Sequence, residues 1–221
     1  MNSQLMEAQF DDSATLGAPE GVAKSPWVVM KFGGSSVSTA ENWKTIVELL
    51  KHRLADGLKP VIVHSALKGV SNSLEEFLTS AVTGDPSKSL DEIREQHYAL
   101  AAALGLNGQE MLDKLFHELE QLVSGVRLVG EVSVRVRVRI MALGELMATR
   151  LGAAYLESQA LPVQWMDARD LLTSRSHGNH ETGSSYLSAT CDFEPDISPV
   201  SYTHLRAHET VLDLVCRLLL E

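Results

Sequence analysis

Three short segments hold residue types that could handle a phosphorylated ligand. In Val28–Val37 (VVMKFGGSSV), Lys31 closes an apolar run and is followed by Gly33-Gly34 and then Ser35-Ser36. Paired glycines let backbone N–H groups come close to an anion. The serines add hydroxyl donors, and a helix starting here would present its positive end. A positioned lysine can stabilise the dispersed negative charge of a phosphoryl group in transfer. The same residues also suit an ordinary strand–helix turn, and neither GxxxxGK[ST] nor GxGxxG is present. The second segment, His64–Asn72 (HSALKGVSN), again follows an apolar run. Ligands of open α/β sheets bind beyond the carboxyl ends of the strands. Ser65, Gly69 and Ser71 would therefore lie beside the Lys31 turn if the two strands are neighbours. Otherwise this is a Ser/Gly-rich connection. His64 reads as a packed strand residue, not a ligand. The third segment is Leu143–Thr149 (LGELMAT), where Glu145 stands among apolar residues. It is either a solvated helix residue or a carboxylate in a pocket. Burial without a partner is costly, so in a pocket it should meet a cation such as a substrate ammonium.

The elements that must position these residues are legible as periodicities. Trp27–Lys31 and Pro60–His64 are short, partly β-branched apolar runs and predict buried strands. Ser38-x-x-Glu41 is a capping box opening a helix with Trp43, Ile46, Val47, Leu50 and Leu54 on one face, ended by Asp56-Gly57. A second capped helix carries Leu74, Phe77, Leu78, Ala81 and Val82, with Gly84 placed to stop it. Ser89-x-x-Glu92 predicts the start of a third, with Leu90, Ile93, His97, Leu100 and Leu104 inward. Met111, Leu112, Leu115, Leu119 and Leu122 mark a fourth. Ser133–Ile140 (SVRVRVRI) alternates with the period of a strand, whereas Met141–Leu156 has the composition of a helix. We read both as one helix, partly on the resemblance given below. Leu161–Met166 predicts a third strand. This order of strands and helices is that of an α/β layer fold on a mainly parallel sheet.

Composition bounds the rest. The 221 residues are 44% hydrophobic and 22% charged, as in ordinary globular proteins. A net charge of −10 argues against broad binding to nucleic acid or anionic membranes. No run of about 18 apolar residues and no secretory signal appear, so the cytoplasm is the default expectation. Cys191 and Cys216 offer neither a disulfide framework nor metal-ligand spacing. Residues 1–26 are Gly-, Pro-, Ser- and acid-containing without period and are expected to form a mobile tail. At the other end, Val200–Glu209 and Leu214–Leu220 can both be spelled, in one frame, as transposase-type sequencing adapter. Residues 199–221 are accordingly expected to be non-native read-through, which leaves 27–198 as the natural domain. Removing Arg206, Arg217, Glu209, Asp213 and Glu221 moves the net charge only from −10 to −9.

KFGGSSV, HSALKGVSN and LGELMAT in this order, with VQWMDAR at Val163–Arg169, resemble the aspartokinases. The resemblance covers about Trp27 to Thr173. It implies the three-layer αβα amino-acid kinase fold, here truncated, and an enzyme that phosphorylates L-aspartate from ATP, with Mg²⁺ carried by the nucleotide. It further implies that Lys31 contacts the transferring phosphoryl group and that Gly33, Gly34 and Ser35 face the phosphates. Ser65 would stand near nucleotide and substrate, Ser71 would contact the amino acid, and Glu145 would hold its α-ammonium group. Ser35 and Ser71 replace threonines common in relatives and keep the hydroxyl. The 26-residue leader is similar to that of aspartokinases fused to diaminopimelate decarboxylase. A Gly/Ser-rich segment with an Arg and a Ser-Asp pair, the later nucleotide-binding strands and regulatory ACT domains are expected of this family. None appears before Ser198. The expectation is a fragment of a homo-oligomeric parent, inactive alone. Two rivals stand beside it. One is a kinase of another substrate, such as glutamate, acetylglutamate or a nucleoside monophosphate. The other is a non-catalytic fragment whose open strand edge promotes aggregation.

Overall fold

The computed structural model describes residues 26–171, 174–175, 190–191 and 216–220. The expected tail before Pro26, most of 174–198, and 199–215 lie outside the described residues. Strand β1 (Trp27–Phe32) pairs in parallel with β2 (Lys59–His64), Trp27 opposite Lys59 and Phe32 opposite His64. Strand β3 (Val163–Asp167) runs in the same direction, so the three strands foreseen from apolar runs share one polarity. Between β2 and β3 lies β6 (Cys216–Leu220), antiparallel to both, giving the order β1-β2-β6-β3. A mainly parallel sheet is thus interrupted by a strand from the segment set aside above. The physical reason is that β2 and β3 each present a row of unpaired backbone groups, and burial requires that such groups be paired. Two short strands, β4 (Ser174–Arg175) and β5 (Thr190–Cys191), form a separate antiparallel pair.

Helices α1 (Ala40–Ala55), α2 (Val70–Thr83), α3 (Ser87–Ala103), α4 (Gly108–Val129) and α5 (Val134–Ser158) contribute to one continuous apolar core. A one-turn helix, α6 (Ala168–Leu171), follows β3. Trp43 of α1 packs edge-on against Tyr155 of α5, so these two helices share a face of the sheet. Ile62 points into that core, whereas its neighbours Val61 and Val63 are buried on the opposite side. The described helices therefore build one of the two helical layers expected. Each large side chain buried here stabilises by about 1.5–3 kcal/mol.

The alternating segment Ser133–Ile140 is helical. Ser133 Oγ accepts the Val136 N–H, and Val132 and Val136 pack on the core. Arg137 pairs with Glu75 of α2, and Arg139 with Glu118 of α4 at 2.7 Å. Helix faces on either side, not a strand partner, thus hold Arg137 and Arg139. Several boundaries differ from expectation. The N-cap of α1 is Thr39, whose side chain accepts the Asn42 N–H, because Ser38 is engaged elsewhere. Helix α2 has no side-chain cap: Gly69 at φ 88° precedes it. Helix α3 starts before Ser89, which is buried within it, and Asp85 accepts from the Ser87 N–H instead. Val82 is 44% exposed and not part of the inner face of α2. Among the described residues, no helix is long and apolar enough to cross a membrane.

Candidate functional site

The parallel pairing of β1 and β2 sends both of their outgoing loops from the same sheet edge. Ser65 N–H donates to the carbonyl of Phe32 at 3.3 Å, which ties the residue after β2 to the residue before Gly33. A single turn of 3-10 helix, Gly34–Val37, follows, and Asn42 of α1 donates to the Ser35 carbonyl at 2.9 Å. The two loops then touch. A Cβ on Gly34 would lie 2.7 Å from the Ala66 carbonyl oxygen and 3.1 Å from the Lys68 nitrogen, so only glycine fits. At Gly33, by contrast, a Cβ would meet nothing within 4 Å, and this part of the turn is open. Ser38 Oγ donates to the Gly34 carbonyl at 2.5 Å and accepts the Lys68 N–H at 2.8 Å. One hydroxyl thereby bridges the two loops.

Helix α5 approaches from the other side. A Cβ on Gly144 would lie 2.8 Å from Leu74 Cδ1, 3.1 Å from Val70 Cγ1 and 3.4 Å from Ala66 Cβ. Ala66 is therefore enclosed between Gly34 of the first loop and Gly144 of α5. Glu145 follows Gly144 on α5 and Ser71 follows Val70 on α2, so both backbone positions flank this contact. Glu145 is half-buried, with its Oε2 shielded from solvent. Lys31 is exposed at the end of β1, and Ser71 is exposed in the first turn of α2. Ser65 is half-buried. The glycine turn and the second loop are thus brought into contact through Gly34, Ala66 and Lys68, with Ser65 tied to Phe32, and α5 meets the second loop through Gly144.

Side chains of neighbouring elements make further contacts to which sequence reasoning assigned no role. Gln96 of α3 donates from Nε2 to the Lys68 carbonyl at 2.9 Å. Trp165 of β3 donates from Nε1 to Thr149 Oγ1 at 3.2 Å, and the Arg150 guanidinium stacks 3.4 Å from the Trp165 ring centroid. The Asp-x-Arg of VQWMDAR is a local fork, Arg169 Nε and Nη2 donating to Asp167 at 2.9 and 2.5 Å. Burial opposes ionisation of Asp167, but these hydrogen bonds outweigh it and hold the carboxyl below its usual value. Ser38 carried a sequence signal, but it read as a helix cap. Gln96 carried none, because its partner lies 28 residues away. Among the described residues, no group of three or more His, Cys, Asp or Glu side chains could hold a metal ion.

His64 is packed, as expected: it is 2% exposed, edge-on to Trp43, with Nδ1 3.0 Å from the Ser65 carbonyl. Burial pushes its pKa down from 6.5 to about 4. The unfolded chain therefore takes up this proton first. The stabilisation is complete above pH 6.5 and is lost as pH falls from 6.5 towards 4. The loss attributable to His64 should reach about 3 kcal/mol. Urea denaturation at pH 7 and pH 4.5 reads it, with a flatter pH dependence expected for His64→Gln. Equal slopes for both proteins would contradict this assignment.

The amino acid kinase family model matches residues 26–191. Aspartokinase 2, chloroplastic, of Arabidopsis thaliana is 35% identical over 156 residues, covering 68% of this chain and 28% of its own. Aspartokinase of Chlamydia muridarum is 29% identical, covering 79% of this chain and 35% of its own. A crystal structure of Escherichia coli aspartokinase III in complex with aspartate and ADP superposes with a TM-score of 0.60 at 24% identity, over 75% of this chain and 34% of that one. At that identity the likeness establishes the fold. The chain spans about a third of the length of these relatives. A match that runs from the first residue of the described fold through all three motif segments leaves one assignment: the chain belongs to the amino acid kinase family.

Proposed function

We propose that this chain is the N-terminal part of an aspartokinase, transferring the γ-phosphoryl group of ATP to the side-chain carboxylate of L-aspartate to give 4-phospho-L-aspartate and ADP. The observation that carries this reading is the junction at Ala66, where the glycine turn, the second loop and α5 converge. The names of the relatives point to the same substrates.

The chemistry asks little of the protein beyond placement. An aspartate side chain is already ionised at pH 7, so its oxygen attacks the γ-phosphorus without a general base. As that bond forms, the bond from the γ-phosphorus to the β–γ bridging oxygen breaks and ADP leaves. Backbone N–H groups of the Gly33-Gly34 turn and the hydroxyl of Ser35 hold the phosphates, and Ser65 lines the approach from β2. Lys31 faces the transferring group and stabilises its charge. Mg²⁺, arriving with the nucleotide, supplies neutralisation of the β- and γ-phosphate charge. Glu145 holds the α-ammonium group of aspartate, and Ser71 hydrogen-bonds the same substrate. The working enzyme is a cytoplasmic homo-oligomer in this reading.

The test is a substrate panel with the full-length gene product. ATP consumption is expected with L-aspartate and not with L-glutamate, N-acetylglutamate or UMP, and the reverse preference would refute the reading. Glu145→Gln removes the ammonium partner. It is expected to raise the KM for aspartate by about tenfold or more, with a smaller effect on the KM for ATP. An unchanged aspartate KM would remove Glu145 from the site.

A further inference from the structure

The peptide of Lys68 is fixed at both ends although the residue is exposed. Its N–H donates to Ser38 Oγ at 2.8 Å, and its carbonyl accepts from Gln96 Nε2 at 2.9 Å. Its nitrogen would lie 3.1 Å from a Cβ on Gly34, so the backbone of Lys68 is seated directly on the glycine turn. The side chain contrasts with this: among the described residues, no ion pair engages its ammonium group. A lysine is a compact, mobile point charge well suited to phosphate oxygens. With the backbone already immobilised, binding would order only the side chain, which lowers the entropic cost of the contact.

We propose that Lys68 is a second cation for the phosphates of a nucleoside di- or triphosphate seated on the Gly33-Gly34 turn. Ser38 and Gln96 are the positioning residues that hold it there. The inference rests on reading that turn as the phosphate site and adds to it a residue from the second loop. It also gives the Ser38 bridge a purpose: one hydroxyl keeps the cation of one loop in register with the glycines of the other.

The probe is ADP, with adenosine as the uncharged control, titrated calorimetrically into the full-length gene product and into its Lys68→Ala, Lys68→Glu and Lys31→Ala variants. Lys68→Ala should weaken ADP binding about tenfold or more, as expected for loss of a charged hydrogen bond, and should flatten its salt dependence. Lys68→Glu should weaken it further, and adenosine should bind all four proteins alike. If Lys31→Ala weakens ADP binding and Lys68→Ala does not, the Lys68 inference is overturned and the phosphate site stands. If neither substitution changes ADP binding, or the wild-type full-length protein does not bind ADP, the phosphate site falls and the inference with it. A Lys68→Ala variant that loses adenosine and ADP equally also overturns the inference, since the role would then be structural.

Discussion

Lys31→Ala in the full-length gene product should lower kcat for aspartate phosphorylation by about 10² or more, equivalent to about 2.7 kcal/mol of transition-state stabilisation. The substitution removes the only charged group on the β1 strand (Trp27–Phe32), at the end where the strand delivers the chain to the glycine turn. The loss should appear in kcat as well as in nucleotide affinity, because the lysine faces the phosphates in the bound state and the transferring group in the transition state. Lys31 is exposed at a strand end, so the fold should survive the change. Urea denaturation within about 0.5 kcal/mol of wild type would confirm that. Wild-type turnover by a folded Lys31→Ala enzyme would contradict the role assigned here.

Gly34→Ala should damage both stability and activity, whereas Gly33→Ala should leave stability intact. At Gly34 the added methyl would sit 2.7 Å from a backbone oxygen and 3.1 Å from a backbone nitrogen of the second loop. Backbone atoms cannot swing aside as a side-chain tip can, so the two loops must separate. Overpacking of this kind costs about 1–3 kcal/mol. Separation would also stretch the Ser38 bridge and displace Ser65 and Ser71 from the glycine turn, so a loss of activity beyond the loss of stability is expected. At Gly33 the backbone is extended, with φ −77° and ψ 167°, and the methyl would enter open space. Its stability should stay within about 0.5 kcal/mol of wild type. Paired urea denaturation curves decide the matter, and a Gly34→Ala protein as stable as Gly33→Ala would show that the loops do not bear on each other.

The parts of this architecture that were legible beforehand are those written in local sequence. Val61 and Ile62 in β2, and Leu112 and Leu119 in α4, advertise their periods within one element. The motifs at Lys31, Ser65 and Glu145 sit at the ends or middles of those elements, and parallel pairing of β1 with β2 suffices to bring the first two together. What sequence did not disclose depends on distant partners. Ser38 and Thr39 are both good capping residues, and nothing local says that Ser38 would be drawn off by the Lys68 N–H, 30 residues away. Gln96 is an unremarkable helix residue until α3 packs beside the second loop. Alternation of valine and arginine at 134–139 imitates a strand, and only Glu75 and Glu118 on neighbouring helices show why a helix accepts it. For Cys216–Leu220 the sequence argued for exclusion, yet a short apolar segment can occupy any free strand edge of suitable length.

The most direct measurement is a crystal structure of the protein with ADP and L-aspartate bound. Nucleotide phosphate oxygens should accept hydrogen bonds from backbone N–H groups of the Gly33-Gly34 turn, with the Lys31 ammonium facing the β-phosphate and the aspartate ammonium against Glu145. ADP bound elsewhere, with the glycine turn empty and Glu145 turned away from the amino acid, would contradict the account.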